Sequence, residues 1–345
     1  MKKWTGAFQI AAVYVGTVIG AGFATGKEIV AFFTRFGFHG FLAILLAGYL
    51  FIFLGSKIMT KAIEIQATSF EEFNKYLYGK KISGVMNIFT LLMLLGICAV
   101  MMAGADALFT EQLGYSKSTG AILTGILAII VMAVGAKGLF AVNSFVVPAL
   151  ILFSFILMLK SVPTTGYLET FFSVPTTPTP IHTIISAFSY AALNLALAQA
   201  VLVPIAVEMN DKATVRLGGI IGGFLLTFVL ITSHITLLTL PNFTTFDIPM
   251  AVVVKHAASS LYLLYVAVIY GEIFTSVIGN MYGIERQIRK YLRINSLLIY
   301  GGILLVVYVI GLVDYGFLLQ LLYPLFGYVS LIFLFILALK PTKKA

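Results

Sequence analysis

Charge and sulfur chemistry are what this sequence has least of. Only 10% of its 345 residues are charged, whereas an ordinary globular domain carries about 25%. A soluble enzyme or binding domain is excluded on that ground. The single cysteine, Cys98, excludes an intrachain disulfide and any CxxC metal or redox motif; in its apolar surroundings it reads as a small filler. No histidine belongs to an HExxH pair, so intramembrane zinc proteolysis has no support. His182 and His234 read as structural, and with no catalytic constellation elsewhere an enzyme is not expected.

What the chain has instead is apolar length. Hydrophobic residues make up 60% of it and the mean hydropathy is +1.05. Its apolar stretches are each about 20 residues or longer, right for membrane helices and too long for the strands of an outer-membrane barrel. The expected fold is an all-α polytopic membrane protein with ten spans, at 5–35, 38–60, 84–110, 117–135, 138–160, 182–207, 215–240, 250–281, 295–313 and 316–339. Lys2 and Lys3 before an apolar run imitate a signal peptide, but no A-x-A site follows, so the segment reads as a retained first helix.

An even number of spans puts both termini on one side. If that side is the cytoplasm, every Lys and Arg except Lys27, Arg35, Lys117, Lys160 and Lys255 falls inside or at the inner face, as the positive-inside rule demands. The expected location is the bacterial cytoplasmic membrane with both termini cytoplasmic. The net charge of +9 is then topological, and the expected partners are the lipid bilayer and a small-molecule substrate. Nucleic acid is not expected, and no obligate protein partner is evident.

The Pro/Thr-rich segment at 161–180 divides the spans into five and five. An odd number per half inserts the second half upside down, the inverted-repeat plan of secondary transporters; the expected repeats are 1–160 and 161–345. Of the cytoplasmic connections, 62–83 carries Ser69 with Glu72 at capping-box spacing, which predicts a short amphipathic helix. The basic run at 285–293 reads as a headgroup anchor.

The first span is interrupted by GTVIGAGFATG, residues 16–26. GxG in mid-span lets a helix come apart and its backbone approach a ligand. The same glycines also have GxxxG spacing, which serves tight helix packing. The second half opens with SAFSYAALN, residues 186–194. Its Ser189, Tyr190 and Asn194 either mark a second broken helix, the sixth, or bond within an intact one.

In the eighth span, Glu272, Thr275, Ser276 and Gly279 share one helical face. An intramembrane carboxylate costs about 2.5–3.5 kcal/mol on insertion scales and is functional by default. Carbonyls of Gly16 and Ile19 facing the Thr275 and Ser276 hydroxyls would make an oxygen site for one Na⁺. Amides near Ala21 and Gly22, at the start of the next half-helix, suit a carboxylate. The candidate substrate contacts are therefore Val18, Gly20, Ala21, Gly22, Ser189, Tyr190, Asn194 and Glu272. Asp106 reads as a gate or helix-end residue.

The stretch G-x-V-I-G-A-G-F at 16–23 resembles the first-helix glycine motif of the amino acid-polyamine-organocation transporters, which share the LeuT fold. The whole chain resembles the bacterial YkvI-like membrane proteins of that superfamily. The resemblance implies a five-plus-five inverted repeat with helices 1 and 6 broken. It also implies a sodium site on the Gly16 and Ile19 carbonyls, the Glu272 backbone oxygen, Thr275 and Ser276. Phe23 stands where some members have an Asn ligand to a second sodium, and the fifth span has no mid-membrane lysine. Together these imply one Na⁺ site and sodium-coupled symport of a small organic solute, such as an amino acid or related amine. The alternatives are proton coupling through Glu272 and a transporter-like sensor.

Overall fold

The computed structural model describes residues 2–162, 171–172, 180–246, 248–313 and 315–341. Most of the expected external segment 161–180 lies outside the described residues, as do the side chain of Ala21 and residues Lys343 and Lys344. No strand occurs among the described residues.

The first crossing consists of α1 (Lys2–Val18), α2 (Ala21–Ala24) and α3 (Lys27–Phe32). The second runs from α4 (Phe38–Leu50) through a π-helical turn, Phe51–Gly55, into α5 (Ser56–Ile65). Next come α6 (Phe70–Ala107), α7 (Thr119–Met132) and α8 (Ala136–Ser161). The second half holds α9 (Pro180–Met209), α10 (Lys212–Leu238), the short α11 (Pro249–Ala257), α12 (Tyr262–Ile288), α13 (Ser296–Gly311) and α14 (Tyr315–Leu339). Seven of the described helices, counted through their π turns, are long and apolar enough to cross a membrane. With the broken first crossing and the shorter apolar α7 and α13 they are compatible with the expected spans.

The centre of the bundle is α1 and α9, wrapped by α4, α5, α8, α10, α12 and α14. Close approach here is made by small residues, as it must be where lipid supplies no hydrophobic drive between helices. On α10, Gly218 and Gly222 meet Ile10 and Tyr14 of α1, and Gly219 and Gly223 meet Ser56 and Ile52. A Cβ at any of these four would lie 2.6–2.7 Å from its neighbour. The lipid-facing shell carries large exposed residues such as Phe145, Leu263 and Leu305.

Three expectations are corrected. Helix 6 is not broken: α9 is helical from Pro180 to Met209. It contains no glycine, and Asn194 Nδ2 donates back to the Tyr190 carbonyl at 3.0 Å within the intact helix. The eighth span does not run 250–281. Pro249 at the first turn starts a separate helix, which ends at Ala258 (φ −151°, ψ 47°), and the spanning helix begins at Tyr262 and continues to Ile288. The capping box at Ser69 does not form, because Glu72 reaches one residue past the N-cap, to Thr68. Glu72 Oε2 accepts from the Thr68 N–H at 2.6 Å and hydroxyl at 3.0 Å, while the buried Ser69 side chain makes no cap bond. The amphipathic helix does start at Phe70, and Gly79 (φ 75°) turns it into the third span.

Candidate functional site

Between Val18 and Lys27 the helical ladder of the first crossing fails. Ile19 N–H still bonds the Val15 carbonyl and Ala24 N–H the Gly20 carbonyl, each at 2.9 Å. No backbone bond among the described residues joins the amides of Gly20, Gly22 or Phe23 to the turn before, which leaves the Gly16, Val18 and Ile19 carbonyls without backbone donors. A second discontinuity follows at Gly26, whose φ of 84° is in the left-handed region that favours glycine.

One side of this break faces α12, which runs antiparallel to α1. Gly279 looks onto Thr17 Oγ1, 3.5 Å from where a Cβ would sit, and Gly20 onto Ser276 Oγ, at 3.3 Å on the same measure. Thr275 Oγ1 donates to the Glu272 carbonyl at 3.0 Å and keeps its lone pairs. Glu272 and Thr275 are fully buried, and neither carboxylate oxygen of Glu272 has a hydrogen-bond partner among the described residues. Asn143 of α8 completes this side. Its Oδ1 lies 1.8 Å from the position of a Cβ on Gly16 and has no hydrogen-bond partner, while its Nδ2 donates to the Leu139 carbonyl at 2.8 Å. Free carbonyls, hydroxyls and an unpartnered carboxylate are the donor types that a hard cation takes.

The other side of the break meets a residue that the sequence reading missed. Glu28 of α3 is 2% exposed, and its Oε2 lies 2.8 Å from where a Gly22 Cβ would be. The side chains of Tyr190 and Asn194 from α9 and Tyr323 from α14 close around its carboxylate. Yet Glu28 Oε1 and the Tyr190 hydroxyl have no partner at hydrogen-bonding geometry. The signal was present: Glu28 is an acid inside the expected first span, subject to the same rule that singled out Glu272.

The candidate residues thus separate into two groups. Gly20 and Ser276 meet where α1 faces α12, with Val18 and Ile19 in the break beside them; Gly16 faces Asn143 and Val147 of α8, and Thr275 bonds within α12 to the Glu272 carbonyl. Gly22, Tyr190 and Asn194 gather around Glu28. Ser189 belongs to neither, because its hydroxyl faces Gly327 of α14, 2.5 Å from a Cβ there.

A cavity of about 790 Å³ opens at the end of the bundle remote from the N-terminus, walled by Thr25, Asp106, Ile269, Ile273, Tyr315 and Leu319 among others. No candidate site residue lines it; the break reaches it at Thr25 and Lys27. Asp106 Oδ2 accepts from the Ser118 N–H at 2.9 Å, tying the α6–α7 turn at the cavity rim. The opposite end is shut by charge. Arg286 pairs with Glu208, Lys290 with Glu72 at 2.5 Å, and Tyr291 donates to Glu71 at 2.7 Å. The basic run thus holds protein acids. His234 Nδ1 lies 3.2 Å from Thr34 Oγ1, in keeping with a structural role.

Comparison with known proteins agrees with this architecture. No protein-family model matches the chain. It is 48% identical over 95% of its length, and 94% of the relative's, to the uncharacterized membrane protein YkvI of Bacillus subtilis (strain 168). It is 24% identical over 98% of both chains to the uncharacterized protein YyaD of the same organism. Among solved structures, a manganese transporter of Eremococcus coleocola superposes with a TM-score of 0.70 at 13% identity, over 96% of this chain and 77% of that one. A Na⁺-coupled sialic acid symporter gives 0.68 at 13%, over 94% and 75%. Mhp1, a nucleobase-cation-symport-1 family transporter, gives 0.61 at 14%, over 91% and 74%. At these identities the structures establish the fold alone. The chain belongs to the YkvI-like family of bacterial membrane proteins and has the LeuT-like fold.

Proposed function

We propose that the protein is a secondary active transporter that couples Na⁺ to the symport of a small organic solute, an amino acid or related amine, by alternating access. One observation carries this reading: the break frees main-chain carbonyls in the first crossing beside the face of α12 that carries Ser276 and Gly279. In this reading Gly16 and Ile19 supply carbonyl oxygens, Thr275 and Ser276 supply hydroxyls, and the Glu272 main chain completes the set. Bound Na⁺ would pin the broken helix to α12 and favour the outward-open state.

The cycle we infer rocks the bundle of spans 1, 2, 6 and 7 against spans 3, 4, 8 and 9, with the halves 1–160 and 161–345 inserted in opposite senses in the cytoplasmic membrane and both termini inside. The cavity at one end and the ion pairs at the other suit a state open to the outside. Coupling follows if both ligands favour the same conformations, since linkage is reciprocal.

The test is thermal stability of the purified protein in Na⁺ against K⁺. Wild type is expected to be stabilised by Na⁺ alone. Thr275→Ala with Ser276→Ala should abolish the difference and leave stability in K⁺ unchanged; a wild type indifferent to the cation would refute the sodium assignment. One observation favours a second reading, proton coupling: both Glu272 carboxylate oxygens are buried without a partner.

A further inference from the structure

Glu28 is a buried carboxylate that the cation stripe leaves unused. It belongs to no ion pair among the described residues, and it is enclosed by α9, α14 and the glycine break rather than by α12. A carboxylate held in the membrane without a cation is costly and marks a ligand path.

We propose that the Glu28 pocket is a second binding site, which takes the protonated amine of the transported solute and is reached from the cavity past Leu319. The inference rests on the transporter reading above and assigns the amine to Glu28 rather than to Glu272.

The pocket's chemistry fits an alkylammonium ion. Glu28 supplies the counter-charge, and the Asn194 and Tyr323 side chains beside it supply polar contacts. Tyr190 supplies both an unpartnered hydroxyl and a ring held in place by three phenylalanines: Phe32 at 5.2 Å, Phe33 at 4.8 Å and Phe51 at 5.9 Å between centroids. A buried carboxylate flanked by hydroxyls and an amide discriminates an ammonium from a neutral group of the same shape. Glu28 also changes what the break can accept. A carboxylate already stands beside Gly22, so the protein's own acid opposes a second anion there.

The route is written on one face of α14. Tyr315, Leu319 and Tyr323 are spaced four residues apart and share a direction. The first two line the cavity, and Tyr323 touches Glu28. Leu319 Cδ1 lies 3.1 Å from the position of a Gly22 Cβ, between cavity and carboxylate. Movement of Leu319, with α3 turning about Gly26, would open the carboxylate to the cavity.

The test is equilibrium binding of n-alkylamines, propyl to hexyl, to the purified full chain, with alcohols of equal length as neutral controls. Amines are expected to bind and alcohols not. Glu28→Gln should weaken amine binding by about 30-fold or more, the loss expected when one partner of a buried charge pair is removed. Glu28→Asp should retain part of the affinity. Leu319→Trp should slow association while leaving the acid in place, which keeps the test open if Glu28→Gln fails to fold. Equal binding of alcohols, no binding of any amine by wild type, or undiminished affinity in a folded Glu28→Gln protein would overturn the proposal. The Na⁺-specific stabilisation should survive Glu28→Gln. If wild type lacks that stabilisation but binds amines through Glu28, the sodium reading fails and this one stands.

Discussion

Gly16→Ala tests whether the first crossing is built around close approach at the break. A methyl group there would sit 1.8 Å from Asn143 Oδ1, 3.0 Å from its Cγ and 3.3 Å from Val147 Cγ2. The amide has to move by more than an ångström, and in doing so it strains or loses its 2.8 Å bond to the Leu139 carbonyl. Overpacking a tight interior costs about 1–3 kcal/mol and a buried hydrogen bond about 0.5–1.5 kcal/mol, so the expected loss is about 2–4 kcal/mol. The assay is unfolding of the purified protein in detergent, as a double-mutant cycle with Asn143→Ala. Removing the amide makes room for the methyl group, so the double variant should recover about 1–3 kcal/mol relative to additivity. A neutral Gly16→Ala, or strictly additive losses, would refute the argument that this glycine exists to admit Asn143. A second readout reports on function: displacement of the Gly16 carbonyl should weaken Na⁺-dependent stabilisation.

Two further outcomes are expected. Glu272→Gln separates the coupling readings: sodium coupling through main-chain and hydroxyl oxygens predicts that Na⁺-driven uptake persists, whereas loss of uptake driven by a pH gradient in sodium-free buffer would establish proton coupling. Tyr14→Phe removes the buried 3.0 Å bond from the phenol to the Phe51 carbonyl at the π-helical turn; it should cost about 1–2 kcal/mol in unfolding experiments without changing the Na⁺ dependence, and an altered cation response would mean that the turn belongs to the site.

Much of the fold was legible because the bilayer imposes its own length scale on the sequence. The third to seventh spans and the last two follow directly from apolar runs bounded by charge or proline. The eighth was misplaced because α11 is nearly as apolar as a span, and only the backbone at Ala258 and the short turn Ser259–Leu261 separate it from α12. Helix 6 was expected to break because its polar residues resemble those of a ligand site. Without a glycine the helix stays intact, and Asn194 bonds back to the Tyr190 carbonyl.

Glu28 was overlooked for a different reason. Beside Lys27 and past the glycines it looks like the polar end of a span, and a single sequence does not show that α3 packs on α9 with Glu28 reaching Tyr323 of α14.

By itself, the sequence determined that this is a polytopic helical membrane protein and that its first crossing is weakened at 16–26, because desolvation of the backbone leaves few alternatives in lipid. Tertiary structure alone decided what the two sides of that break meet. Packing brings Ser276 and Asn143 to one side and Tyr190, Asn194, Tyr323 and Glu28 to the other, since contacts between helices far apart in sequence depend on which small residues let them approach.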